Sequence, residues 1–123
     1  MTHALYFFWV FLGGGLGSMA RYGVSLLIQR QSAFEFPLAT LISNMASTMI
    51  LGYIVWKWNT QLSHSMVIFL TIGFCGGFST FSTFSLETFQ LIRSEQWFWA
   101  ISNVIVSAGA AIALLFILSK SLR

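Results

Sequence analysis

Four long apolar stretches make up most of this chain of 123 residues. They lie at about residues 4–28, 37–58, 66–92 and 97–118, and each is as long as the roughly 20 residues that a helix needs to cross a lipid bilayer. Only 7% of the residues are charged, against roughly 25% in an average soluble domain, so the chain cannot cover a surface that faces water. The sequence therefore predicts an all-α membrane protein, with residues 1–123 forming a single transmembrane domain of four helices.

The basic residues divide evenly between the two faces of such a bundle. One side of the membrane receives Lys57, Lys120 and Arg123, and the other receives Arg21, Arg30 and Arg93. Because the orientation of a membrane protein follows the side with the excess of Lys and Arg, this chain should insert either way. Two oppositely inserted copies could then pair about an axis in the membrane plane. The net charge of +3 is too small and too scattered for a nucleic-acid-binding surface.

Polar side chains recur where the spans should lie inside the bilayer. The second span carries the stripe Thr40, Asn44, Ser47 and Thr48, and the fourth carries Asn103 and Ser107. Such groups are costly in lipid unless they bond to one another or face a cavity. Hydrogen bonds between helices explain any single serine or threonine. Polar groups on three spans at once favour a different arrangement, an oligomer with a polar pathway between its subunits.

The third span contains the run GFCGGFSTFSTFSLE at residues 73–87. Gly76 and Gly77, followed by Ser79 and Thr80, should weaken the helix, because glycine is a poor helix former and serine or threonine competes for backbone groups. An interruption at membrane depth frees carbonyl oxygens, which a hard cation could satisfy. A tight crossing of two helices explains the glycines equally well.

Two phenylalanines of the same run, Phe81 and Phe84, alternate with Ser82 and Thr83. The edge of an aromatic ring carries positive charge, so ring edges, hydroxyls and an amide NH₂ together suit a small, hard anion. No Lys or Arg stands in the middle of a span to hold an anion by charge. An anion held by neutral groups can leave again, as conduction requires.

These residues resemble the signatures of the Fluc (CrcB-type) fluoride channels. The resemblance rests on the run GGGLGSMARY at residues 13–22, on the third-span run at residues 73–87, and on Asn44, which falls where the family has its second-span asparagine. It implies an antiparallel, dual-topology homodimer in a bacterial inner membrane, with two fluoride pores. It also implies passive, non-enzymatic export of cytoplasmic fluoride, which reduces fluoride toxicity.

The resemblance also assigns roles to individual residues. The implied fluoride pathway comprises Asn44, Phe81, Ser82, Thr83, Phe84 and Ser107. Arg21 and Glu87 match positions beside the pore and its vestibule. A structural sodium ion, which is not transported, would be held by the backbone carbonyls of Gly76 and Ser79 from both subunits. The chain departs from the family pattern at Ser79, where threonine is usual, and at Ala110-Ala111, which replaces a Gly-Ser pair.

Two other functions fit a short membrane protein. A small multidrug-type proton-coupled exporter also has four spans and dual topology, but it needs a carboxylate in its first span. In this sequence, the only acidic residue inside a predicted span is Glu87 of the third span. A structural subunit of a larger membrane complex is the other alternative. An enzyme is not expected, because His3 is terminal, His64 lies in a loop, and no nucleophile, base and orienting group occur at a workable spacing. Cys75 should be a buried apolar filler.

Overall fold

The computed structural model describes residues 2–29 and 36–122, and all the regular structure in these two segments is helical. Helix α1 is Thr2–Gln29, and α2 is Leu38–Tyr53, which continues as a π-helical segment at Ile54–Trp58. A third helical rod contains α3 at His64–Ile68, a π-helical segment at Phe69–Cys75, α4 at Gly76–Phe78 and α5 at Phe81–Arg93. Helix α6 is Trp97–Ser121. Arg30 and Arg123, which enter the charge count, lie outside the described residues.

Within the described segments, four helices are long and apolar enough to cross a membrane. They are His3–Gln29, Leu38–Trp58, His64–Arg93 and Trp97–Ser121. Large apolar side chains such as Phe7 and Phe116 point outward and are 76% and 65% exposed. Lipid is the solvent that accepts such a surface. The predictions of an all-α fold and of four membrane-spanning helices are therefore confirmed.

Glycines bring α1 against the third rod with their backbones in contact. A Cβ atom added at Gly13 would overlap the carbonyl oxygen of Phe69, and one added at Gly17 would overlap that of Phe74. On the facing rod, a Cβ at Gly77 would overlap the carbonyl oxygen of Gly14, whereas one at Gly76 meets nothing within 4 Å. The tight helix crossing considered for the third span thus exists, and Gly77 rather than Gly76 belongs to it.

The third rod leaves helical geometry at two residues after its glycine pair. Ser79 has φ −81° and ψ 158°, and Thr80 has φ −153° and ψ 119°, so both are extended. Thr80 is the N-cap of α5, where its hydroxyl accepts a hydrogen bond from the N–H of Thr83 at 3.1 Å. The glycine pair itself is helical, and the extended geometry begins at Ser79, one residue before the threonine that caps the following helix.

Hydrogen bonds from α2 hold the third rod just before these extended residues. The hydroxyl of Ser47 donates to the carbonyl oxygen of Cys75 at 3.0 Å, and the thiol of Cys75 donates to the carbonyl oxygen of Ser47 at 3.6 Å. Both residues are buried. This pair is a hydrogen bond between helices of the kind expected for a single serine in lipid.

Candidate functional site

An open cavity of about 310 Å³ lies beside the extended residues of the third rod, between α2, α5 and α6. The residues around it include Asn44, Thr48, Ser79, Thr80, Phe81, Phe84, Ser107 and Ala111. Four members of the predicted fluoride pathway therefore line one cavity. Ser82 and Thr83 do not line it, nor do Arg21 and Glu87. No charged side chain is among the described residues that line it.

The amide of Asn44 binds the backbone of Thr80 through both of its polar atoms. Its Oδ1 accepts from the N–H of Thr80 at 2.8 Å, and its Nδ2 donates to the carbonyl oxygen of Thr80 at 3.3 Å. These bonds satisfy backbone groups that the extended geometry removes from the helix. An amide NH₂ has two hydrogens, so one N–H of Asn44 remains available to a ligand in the cavity.

The rings of Phe81 and Phe84 lie on the cavity with their centroids 5.9 Å apart. Phe81 is 80% exposed in the single chain, so none of the described residues covers its outer side. The hydroxyls of the two intervening residues lie near Thr80. Ser82 Oγ is 3.3 Å from Thr80 Oγ1, and Thr83 Oγ1 accepts from Thr80 Oγ1 at 3.1 Å. The threonine hydroxyl therefore connects the cavity wall to Ser82 and Thr83.

Arg21 reaches from α1 to the end of α4. Its Nε donates to the carbonyl oxygen of Gly77 at 3.1 Å, and its Nη1 lies 3.5 Å from Thr83 Oγ1. The last carbonyls of a helix lack intrahelical partners, and a cation is favourable at that end. The guanidinium thus satisfies a carbonyl that the interruption leaves without its helical partner.

Glu87 faces α2 rather than the cavity. Its Oε1 accepts from the hydroxyl of Thr40 at 2.8 Å. Its Oε2 is buried and has no hydrogen-bond partner among the described residues. Thr40 is itself 6% exposed, so the pair lies between α2 and α5.

A chain of hydrogen bonds connects Ser107 to α5 behind the cavity. Ser107 Oγ donates to Asn103 Oδ1 at 3.2 Å, and Asn103 Nδ2 donates to Thr88 Oγ1 at 2.9 Å. The hydroxyl of Thr88 donates to the carbonyl oxygen of Phe84 at 2.8 Å. The sequence indicated the spacing of Asn103 and Ser107 but gave no signal that Thr88 would be the partner of Asn103.

Three backbone carbonyls near the interruption, those of Gly76, Phe78 and Ser79, accept no hydrogen bond from a described side chain, unlike their neighbours. The described residues contain no cluster of three His, Cys, Asp or Glu side chains. The carbonyls of Cys75, Gly77 and Thr80 all accept hydrogen bonds from side chains. The carbonyls of Gly76 and Ser79, which the family resemblance assigns to a sodium ion, are therefore among those that no described side chain occupies.

Comparison with known proteins places these features in a family context. Residues 8–118 match the family described as "CrcB-like protein, Camphor Resistance (CrcB)". A Pyrococcus abyssi protein named "Fluoride-specific ion channel FluC" is 43% identical over 108 residues, which cover 86% of each chain. A Coxiella burnetii protein of the same name is 41% identical over 110 residues, or 85% of this chain and 86% of the relative. Another from Azobacteroides pseudotrichonymphae is 41% identical over 112 residues, or 88% and 90%.

Proposed function

Because the chain belongs to the CrcB family, as its match over residues 8–118 establishes, we propose that it is a fluoride-specific ion channel in a membrane. A channel passes its ion without chemical change, so the protein is not an enzyme. The flow is passive and runs from the cytoplasm outward, since fluoride that enters as a neutral acid dissociates inside. Such export lowers the toxicity of fluoride.

The observation that carries this proposal is the cavity beside the extended residues. It brings an amide N–H of Asn44, the rings of Phe81 and Phe84 and the hydroxyl of Ser107 to one space with no charged side chain on its described wall. Fluoride holds its water tightly, so a pathway must offer N–H, O–H and ring edges in place of that water. Ser82 and Thr83 lie next along the same pathway, through the hydroxyl of Thr80.

The functional unit is an antiparallel homodimer of oppositely inserted copies. Three features support it: the even division of basic residues, the 80% exposure of the Phe81 ring, and the position of that ring on an open cavity. A second copy would cover that ring and complete each of two pathways. Each copy forms a single four-helix domain, and the membrane is the inner membrane of a bacterial cell.

A structural sodium ion fits the carbonyl oxygens of Gly76 and Ser79. Sodium prefers oxygen ligands, and the neighbouring carbonyls of Cys75 and Gly77 are already occupied by hydrogen bonds. In a dimer, the same two carbonyls from each copy would hold the ion. When bound, it supplies a positive charge that joins the two interrupted rods. Asn44 and Arg21 keep the interruption in shape by bonding Thr80 and Gly77.

Arg21 and Glu87 lie beside the pathway rather than on it. Arg21 contributes positive charge near the vestibule and bonds Thr83, while Glu87 is bonded to Thr40 at the boundary of α2 and α5. A multidrug-type proton-coupled exporter is not favoured. It would need a carboxylate in α1, and Thr2–Gln29 contains no Asp or Glu.

The proposal is tested by measuring ion efflux from proteoliposomes that contain the purified protein. A fluoride electrode should record rapid fluoride release when a potassium ionophore balances the charge. Chloride-loaded vesicles should release little under the same conditions. Equal rates for the two halides, or proton-driven uptake of an organic cation without fluoride release, would contradict the proposal.

A further inference from the structure

The hydroxyl of Ser107 donates to a side chain of its own helix rather than to a backbone carbonyl. Six serine and threonine hydroxyls donate to the backbone carbonyl four residues earlier: Ser25, Thr48, Thr71, Ser79, Ser85 and Thr88. This bond to its own helix is the ordinary choice for a serine or threonine inside a helix. Ser107 instead donates to the side chain of the residue four positions earlier, Asn103. Asn103 therefore draws this hydroxyl away from the helix backbone.

The orientation of the Asn103 amide is determined by Thr88. The single hydroxyl hydrogen of Thr88 is used on the carbonyl of Phe84, so its oxygen can only accept from Asn103. The NH₂ of Asn103 must then face Thr88, which leaves Oδ1 for Ser107. Asn103 is 1% exposed, so no open solvent competes for either end of its amide.

We propose that Asn103 is a positioning residue that orients the Ser107 hydroxyl so that it can bind fluoride. This inference rests on the proposed channel function. Ser107 lines the cavity with Phe84, and both residues are connected through Asn103 and Thr88. Because the Ser107 hydroxyl donates to a side chain, it is not bonded to the backbone of its own helix. It can rotate away from Asn103 and donate to an anion in the cavity. Without the Asn103 amide, the Ser107 hydroxyl would donate to the backbone carbonyl of residue 103. The six other hydroxyls likewise donate to the carbonyl four residues earlier.

The consequence is that removing the amide should have the same effect as removing the hydroxyl. We expect both Asn103→Leu and Ser107→Ala to raise the half-saturating fluoride concentration for efflux by about tenfold, as expected for one hydrogen bond to an ion. The double variant should be no worse than either single variant. A merely structural role for Asn103 would lower the maximal rate and would add to the effect of Ser107→Ala.

The test measures efflux against fluoride concentration for the two single variants, the double variant and Thr71→Val. Thr71 also bonds four residues back, to Val67, and lies away from the cavity, so Thr71→Val should match the unsubstituted protein. If Asn103→Leu does not fold, Thr88→Val replaces it, since it releases the amide while keeping Asn103 and Ser107. It should raise the half-saturating concentration less, and only while Ser107 is present.

The possible failures are distinguishable. An unsubstituted protein that releases no fluoride overturns the channel function and this inference together. A conducting protein overturns the inference alone if Asn103→Leu leaves the half-saturating concentration unchanged, if the double variant shows additive effects, or if Ser107→Ala itself has no effect.

Discussion

The side-chain amide of Asn44 bonds both the N–H and the carbonyl of Thr80, at 2.8 and 3.3 Å. Through Asn44, helix α2 thereby bonds the backbone N–H and carbonyl of an extended residue in the neighbouring rod. In a continuous helix, these two groups would bond to the backbone of the same rod. Buried backbone groups need partners, above all in lipid. The geometry of Thr80 is thus stabilised from outside the rod, by a side chain 36 residues earlier in the chain.

Asn44→Leu should destabilise the protein because it leaves the N–H and carbonyl of Thr80 without partners. We expect a loss of about 1–3 kcal/mol for each group left unsatisfied, measured as thermal unfolding in detergent. Met45→Leu is the matched control, since it changes the next residue of α2, conserves volume and removes no hydrogen bond. Equal melting temperatures for the two variants would contradict the role given to the amide.

The close contact between the glycines of α1 and the third rod predicts different effects for two glycine-to-alanine substitutions on α1. Gly17→Ala should destabilise, because its Cβ would overlap the carbonyl oxygen of Phe74 and lie 2.8 Å from the nitrogen of Phe78. Gly15→Ala on the same helix meets nothing within 4 Å and should be neutral or stabilising by up to about 1 kcal/mol, since alanine is the better helix former. Thermal unfolding of the two variants side by side measures the difference. Equal changes in melting temperature for the two variants would contradict the close backbone contact between α1 and the third rod.

Removal of sodium should impair the channel. Replacing sodium with a large organic cation at constant ionic strength should lower both fluoride efflux and thermal stability, because the carbonyls of Gly76 and Ser79 lose their ligand. Ser79→Ala should retain this sodium dependence. It loses the hydroxyl bonded to Cys75 but keeps the backbone carbonyl. Identical fluoride efflux and thermal stability with and without sodium would contradict a structural role for the ion.

Dual topology predicts labelling from both sides of the membrane. Asn59 is exposed in the connection between α2 and α3, and the native Cys75 is buried. In cells that express Asn59→Cys, a membrane-impermeant maleimide should label about half of the molecules, and all of them after permeabilisation. Complete labelling or none before permeabilisation would show a single orientation, and the antiparallel dimer would then be wrong.

Part of this architecture follows from the sequence because it depends on local composition. The four spanning helices are visible as apolar length, and the family is visible in the runs at residues 13–22 and 73–87. The structure also brings Asn44, Phe81, Phe84 and Ser107 to one cavity, although their contact with fluoride stays a prediction.

The pairings between helices do not follow from the sequence in the same way. Arg21 bonds Gly77 across 56 positions, and Asn103 bonds Thr88 across 15. Each depends on how two helices rotate and slide against each other, which no local spacing specifies. The sequence indicated a weak stretch from the glycine pair through Ser79 and Thr80 but not which of these residues leave the helix. The extended residues are Ser79 and Thr80, because the cap formed by Thr80 decides where α5 begins.

The central claim is that neutral donors and ring edges around this cavity carry fluoride. The most direct measurement compares fluoride efflux through Phe84→Ile and Phe7→Ile in the same proteoliposome assay. Phe84 lines the cavity, whereas Phe7 is an exposed ring on α1, a helix that contributes no residue to the cavity wall described here. Phe84→Ile should slow efflux by at least about tenfold, because isoleucine fills space without a positive ring edge, and Phe7→Ile should conduct normally. Undiminished fluoride efflux through Phe84→Ile would contradict the claim.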